Sequence, residues 1–251
     1  MNLTVASIVY NESENLDRFL SSIYQLANEI IIVDSFSTDQ TKKICLQYPN
    51  VRFFEKKFDG YGSQKNHAIG LCSAEWILFL DADEVPDDKC KEEIMNIVTN
   101  GSVSQYDVYN IKLDNIFLGC SVRYGGWGDV YRERLFRKGA GKYSNDIVHE
   151  KFITKSEVGK LSGIINHYTY RNINHHIEKI NRYSQMMAEK MVLDGKKPSI
   201  FKIIVSPLYT FIKTYFLKLG FLDGIIGYYC SKTLAYYTFL KYLKVYEKFK
   251  N

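Results

Sequence analysis

The chain has 251 residues, with 46% hydrophobic and 24% charged residues and a net charge of +5. These are ordinary fractions for a globular protein, and the length suits one α/β domain with an appendage and a substantial core. Five scattered cysteines (45, 72, 90, 120 and 230), odd in number and without CxxC spacing, exclude a disulfide frame or a zinc site and predict reduced thiols.

Strand and helix signals alternate over the first 110 residues. Met1 runs straight into a β-rich segment, Leu3–Val9, with no basic and apolar leader of the signal-peptide kind, which predicts a cytoplasmic protein. Ser13 is placed to cap a helix running to about Ala27, with Leu16, Phe19, Leu20 and Ile23 on one face. Glu29–Asp34 reads as a second strand, followed by the polar turn Ser35-Phe36-Ser37-Thr38-Asp39 and a helix to Tyr48. Val51–Glu55 is a third strand. Gly60 and Gly62 mark a loop before a helix that begins near Ser63. Trp76-Ile77-Leu78-Phe79-Leu80 is a continuous apolar run, the signature of a strand buried on both faces, and Pro86 suits the first position of the next helix. This βαβα order predicts a parallel sheet with helices on both faces.

The order changes after residue 105. Tyr106–Leu113, Val130–Arg137 and Val158–Ile165 read as strands without long helices between them, and an amphipathic helix spans Asn174–Leu193. Gly195-Lys196-Lys197-Pro198 ends it and divides the chain into a 1–195 domain and a 196–251 tail. The tail holds ten lysines against Asp223 and Glu247, a charge of +8, together with 14 of the 35 Tyr and Phe residues. Apolar residues recur there at helical spacing, but lysines interrupt every run before about 18 uncharged residues accumulate. The tail is therefore predicted to form amphipathic helices lying in an anionic membrane surface. Its basic residues lack a reading motif, so no nucleic-acid partner is expected.

Chemistry is suggested where strands end, because ligands of open α/β sheets bind outside the carboxyl ends of strands. Asp81-Ala82-Asp83-Glu84 stands at the exit of the fourth strand. Its two aspartates offer hard oxygens to Mg²⁺ or Mn²⁺, which would hold a diphosphate; one of the two can instead take a ribose hydroxyl or a metal-bound water. The pattern points to metal-assisted transfer from a nucleotide-activated donor. Asp34 ends the second strand and suits a ribose or a base N–H, and Asp39 suits either a ligand or a helix start. Tyr10 ends the first strand, where it is placed to stack on a base. No glycine lies there, so a GxGxxG dinucleotide site is not expected. Lys65 near a helix start suits a phosphate. Glu150 is a candidate base for an acceptor hydroxyl, in competition with Asp129, Glu133 and Asp146, and His149 is a candidate ligand of metal or phosphate. His167, after a strand, is a candidate extra metal ligand, whereas His175 and His176 read as structural.

Together, Ser7-Ile8-Val9-Tyr10-Asn11-Glu12, Ile32-Val33-Asp34-Ser35-Phe36-Ser37-Thr38-Asp39, Gln64-Lys65-Asn66 and Asp81-Ala82-Asp83-Glu84 resemble the family 2 inverting glycosyltransferases. With Arg134-Leu135-Phe136-Arg137 and Val148-His149-Glu150, the likeness is to the lipopolysaccharide-core β-glucosyltransferase branch. The resemblance implies a GT-A fold, that is, a mostly parallel Rossmann-like sheet flanked by helices, here with a C-terminal amphipathic helical extension. It also implies a UDP-sugar donor, UDP-glucose first, a divalent metal, and a lipid-linked glycan acceptor at the inner face of the cytoplasmic membrane. By the same resemblance Tyr10, Glu12 and Asp34 hold the uridine, Asp81 faces the nucleoside and Asp83 the metal. Family members usually use an aspartate base, so Glu150 departs from their pattern. A nucleotidyltransferase would instead carry a glycine-rich basic loop after the first strand, where this chain has Tyr10-Asn11-Glu12-Ser13-Glu14.

Overall fold

A computed structural model describes residues 2–99, 104–144, 150–170 and 172–250. Contacts divide the chain into two compact units, residues 1–113 with 130–167 and residues 114–129 with 168–251. The boundary expected at residue 195 falls inside the second unit, because the helix before it groups with the tail.

The first unit is built on strands β1 (Leu3–Val9), β2 (Glu29–Asp34), β3 (Val51–Glu55) and β4 (Trp76–Phe79), which run parallel in the order β3-β2-β1-β4. Helices α1 (Ser13–Ile23), α2 (Thr41–Cys45) and α3 (Tyr61–Leu71) are the crossovers. The continuous apolar runs follow from burial on both faces. Trp76, Leu78 and Leu80 pack into one core layer with Leu16, Phe19 and Leu20 of α1, while Ile77 and Phe79 pack into the other with Ala68 of α3. β1 lies between β2 and β4, so strand growth reverses there. That is the topological switch point at which such sheets bind ligands.

Beyond β4 the sheet is antiparallel, so its parallel character covers only half of it. β8 (Val130–Arg137) pairs with β4, β6 (Val108–Phe117) with β8, and β11 (Val158–Tyr170) lies next to β6. A three-residue strand, β5 (Glu84–Pro86), closes this edge against β11. Pro86 therefore ends a strand, and α4 starts at Asp88. On the sheet path β5 is four strands from β4, a flat distance of about 19 Å. Residues 80–83 alone join the two, a reach of roughly 17 Å even when fully extended. The sheet must curl, and this short bridge carries Asp81 and Asp83 across its carboxyl edge. β9 (Gly141–Tyr143) and β10 (Phe152–Thr154) form a separate hairpin.

The second unit holds β7 (Cys120–Ser121), α5 (Ile173–Leu193), α6 (Ile200–Ile212), a π-helical turn at Lys213–Leu217, a 3₁₀ turn at Gly220–Asp223 and α7 (Gly224–Lys250). Phe117, Val122 and Cys230 form its core, with Trp127, Tyr170 and Tyr229 packed around them. Helix α6 buries none of its residues; Ile200, Phe201, Ile204 and Leu208 are each at least 60% exposed. Ile200–Leu217 is long and apolar enough to cross a membrane by length and composition, although Lys202 and Lys213 interrupt it. All five cysteines are free, and four are buried.

Candidate active site

The Asp81–Glu84 bridge meets α3 and β8 in a network of buried charges. Arg134 of β8 donates from Nη2 to Asp81 Oδ2 at 2.8 Å and to Glu84 Oε1 at 2.5 Å. Lys65 Nζ lies 3.3 Å from Asp81 Oδ1 and 2.9 Å from Glu150 Oε1. Glu84 Oε2 accepts the backbone N–H of Asp81, which fixes the bridge's start. Arg134, Lys65 and Glu84 are buried, at 4%, 5% and 0% exposure. Burial alone would raise the Asp81 carboxyl, but Lys65 and Arg134 hold it far below the ordinary range. Burial pushes Glu84 up against the pull of Arg134, whose guanidinium stays charged. Lys65 is raised, since Asp81 and then Glu150 outweigh its desolvation. Its ammonium also lies over the rings of Phe79 and Tyr143, 5.3 and 5.1 Å from their centroids. Asn66 braces Tyr143 through two backbone hydrogen bonds, which explains the Gln64-Lys65-Asn66 order: alternate faces of one helix turn serve the charge network and its wall.

These contacts redistribute the expected roles. Lys65, expected to meet a phosphate, pairs here with Asp81 and Glu150. Asp81 has one oxygen on Lys65 and the other on Arg134, and its side chain is 33% exposed. Asp83 Oδ2 lies 3.4 Å from His167 Nε2, and both of those side chains are about one-fifth exposed. His167 comes from β11, opposite Glu84 in the register. Burial lowers its pKa, but Asp83, Glu84 and Asp81 together raise it above the ordinary value. Glu150 meets the network through Lys65. His149, and Asp146 among the competing acids, lie outside the described residues.

At the β1 and β2 exits the acids build the turns. Asp34, 1% exposed, accepts from Ser37 N at 2.7 Å and from Ser37 Oγ at 2.5 Å. Asp39 accepts from Ser13 N and Thr41 N, so it caps the starts of α1 and α2 in place of Ser13; those bonds, against its own desolvation, bring its pKa to about 2. Glu12 Oε2 accepts from Asn15 Nδ2 within its own helix turn. Tyr10 is 56% exposed, as a base-stacking residue needs to be. A cleft of about 570 Å³ lined by Asp107, Arg137, Lys142 and Lys155 lies elsewhere. Arg137 pairs with Trp76 at the amino end of β4, so this cleft is remote from the carboxylates.

The protein-family comparison decides the identity. Residues 4–157 match the family described as glycosyl transferase family 2. The chain belongs to that family. As a family 2 glycosyltransferase it is 30% identical to the lipopolysaccharide core biosynthesis glycosyltransferase LpsC of Rhizobium meliloti (strain 1021), over 98% of this chain and 92% of LpsC. It is also 30% identical to the uncharacterized glycosyltransferase RP128 of Rickettsia prowazekii (strain Madrid E), over 95% and 84% of the two chains. The fold is GT-A. TarS of S. aureus, residues 1–349, in complex with UDP-GlcNAc, superposes with a TM-score of 0.53 at 15% identity, covering 100% of this chain and 92% of that one. The mannosyltransferase PcManGT of Pyrobaculum calidifontis, in complex with GDP-Man and Mn²⁺, gives 0.56 at 15% identity, covering 98% and 87%. Membership in a glycosyltransferase family displaces the nucleotidyltransferase reading.

Arg134 and Glu84 are the network residues for which sequence reasoning named no individual role. Their signal is a charged residue inside a strand, with Leu135 and Phe136 beside Arg134 both buried.

Proposed function

We propose that this family 2 glycosyltransferase is an inverting, metal-dependent hexosyltransferase. It moves a sugar, glucose first, from a UDP-sugar to a lipid-linked glycan such as a lipopolysaccharide core. The observation that carries the reading is the Asp83–His167 pair on the carboxyl edge of the sheet, beside the chain Asp81–Lys65–Glu150. A carboxylate and an imidazole, each about one-fifth exposed, suit Mg²⁺ or Mn²⁺, which keep open positions for substrate phosphates and water. Among the described residues no group of three His, Cys, Asp or Glu forms a complete protein cage. The kinship with LpsC supports the acceptor class, and the nucleotide sugars held by TarS and PcManGT support the donor class.

When bound, the ion neutralises charge on the leaving diphosphate. Asp83 and His167 hold it. Arg134 and Lys65 lock Asp81 and keep the bridge rigid. Glu150, paired with Lys65, takes the proton of the acceptor hydroxyl as that oxygen attacks the anomeric carbon from the far side and the diphosphate departs. One displacement inverts an α-linked donor to a β-linked product. Tyr10 packs on the nucleoside, and Glu12, Asp34 and Asp39 shape the turns that receive it. The 196–251 tail lies in the plane of an anionic membrane surface at the inner face of the cytoplasmic membrane. The exposed apolar side of α6 and ten lysines support this placement.

The test is UDP release from a panel of UDP-sugars with Mn²⁺ or EDTA, for wild type, Asp83→Ala and Glu150→Gln. Metal-dependent release with one sugar, abolished by Asp83→Ala, is expected. Calorimetry that finds no metal-dependent UDP binding by wild type sinks the reading.

A further inference from the structure

We infer that Phe36 is a stacking platform for the nucleobase of the donor, an inference that rests on the nucleotide-sugar reading above. Phe36 has φ +62°, in the left-handed region that a bulky side chain rarely occupies. Its ring is 55% exposed and belongs to neither core of its unit. A glycine would hold this turn without the steric cost, and nothing in the packing of the core calls for an aromatic ring here. Such a conformation persists only where the surroundings impose it.

They do so here through four hydrogen bonds. Ser37 N and Ser37 Oγ donate to the two oxygens of Asp34, at 2.7 and 2.5 Å. Asn11 N donates to Ser37 Oγ, and Thr38 N donates to Asn11 Oδ1, both at 2.8 Å. Asn11 itself has φ +53°. Two left-handed residues, one after β1 and one after β2, are thus locked together, and each lies next to or is an exposed aromatic, Tyr10 or Phe36. A buried carboxylate and two polar side chains are spent on holding an aromatic ring out in solvent.

The sheet says what that ring would meet. β4, β1 and β2 are consecutive neighbours, so the β2 exit lies roughly 10 Å along the carboxyl edge from the β4 exit. A nucleoside diphosphate with its diphosphate at Asp83 lays its ribose across the β1 exit and brings its base to the β1–β2 exit. Every base has a π-face, so the platform supplies affinity, and base choice is left to polar groups of the turn.

The test is calorimetry with Mn²⁺ and UDP, GDP or pyrophosphate, for wild type, Phe36→Ala, Phe36→Gly and Phe36→Trp. Phe36→Ala and Phe36→Gly are expected to weaken nucleoside diphosphate binding about tenfold or more. Pyrophosphate binding should be unchanged, and Phe36→Gly should not lower Tm, since glycine fits φ +62°. Phe36→Trp should retain affinity and show nucleotide-dependent quenching beyond that of wild type. Wild-type affinity in Phe36→Ala, or an equal loss for pyrophosphate, overturns the platform. If wild type binds no nucleoside diphosphate at all, the donor reading itself fails, and the platform with it.

Discussion

Replacing Arg134 with methionine tests whether the charge network is structural as well as chemical. The guanidinium, 4% exposed, neutralises Glu84, which is wholly buried, and helps Lys65 neutralise Asp81. Removing one partner of a buried pair costs about 3–5 kcal/mol, because the other charge stays behind unpaired. Asp81 keeps Lys65, so the low end applies, roughly 3 kcal/mol, or about 10 °C in Tm for a unit of this size. The deficit depends on pH with a definite sign. Burial already holds the Glu84 carboxyl above its unfolded value, and without the pull of Arg134 it rises further. The folded state then binds the extra proton, and stability falls as pH rises through that window. Urea melts should therefore show a larger deficit at pH 8 than at pH 5. Adding Glu84→Gln to the variant should recover part of the loss, with a coupling of at least about 1 kcal/mol. A deficit below about 1 kcal/mol, equal deficits at both pH values, or no recovery in the double variant would refute the reasoning.

His176 gives the second unit an acid-labile element. It is 3% exposed, stacked 4.0 Å from Tyr170 and 3.1 Å from the Tyr229 hydroxyl; burial first, then Lys179 and His175, bring its pKa to about 4. The unfolded imidazole takes a proton first, so the stability present above about pH 6.5 is lost as pH falls towards 4. The loss is about 2 kcal/mol after allowance for screening at the ring edge. His176→Phe should flatten the pH dependence of urea melts between 7 and 4.5, and an unchanged slope counts against the assignment. The tail should bind vesicles containing anionic lipid more tightly than neutral ones. Ile204→Glu with Leu208→Glu should abolish sedimentation with either, and binding unaffected by that pair would exclude α6 as the contact.

The parallel half of the fold was legible because β1, β2 and β4 are largely apolar, buried segments and a helix follows each of the first three strands, although β3 at the edge is only partly buried. β5 was not. Three residues ending in proline read locally as a helix start, and only the distant β11 makes them a strand. Pro86 is tolerated there because β5 is an edge strand, where a missing N–H donor leaves no ladder partner unsatisfied. The site divides in the same way. Asp81 and Asp83 were visible at a strand exit, but what each one meets depends on distant residues: Arg134, 53 residues downstream, for Asp81 and His167 for Asp83. Asp39 read equally well as a ligand or as a helix-start residue, and the folded chain spends it on Ser13 and Thr41.

The charge balance of the strand exit leads to one more consequence. Asp81, Glu84 and Glu150 face Arg134 and Lys65, three carboxylates against two cations. Asp83 adds a fourth, opposite His167. With a neutral imidazole, as metal ligation requires, and all four carboxylates ionised, the exit carries about two surplus negative charges, which partial burial makes costly; the raised pKa values of Glu84 and His167 are the response of the metal-free site to that surplus. A divalent cation offsets that surplus in the folded state alone. Mn²⁺ should therefore raise the Tm of wild type even without nucleotide, by the equivalent of about 2.7 kcal/mol at a hundredfold excess over its Kd. Asp83→Asn removes one ligand and half of the surplus, so its Tm should start higher than that of metal-free wild type and respond little to Mn²⁺. An equal Mn²⁺ response in both proteins would mean that the ion binds elsewhere, and that the surplus at the strand exit is balanced without it.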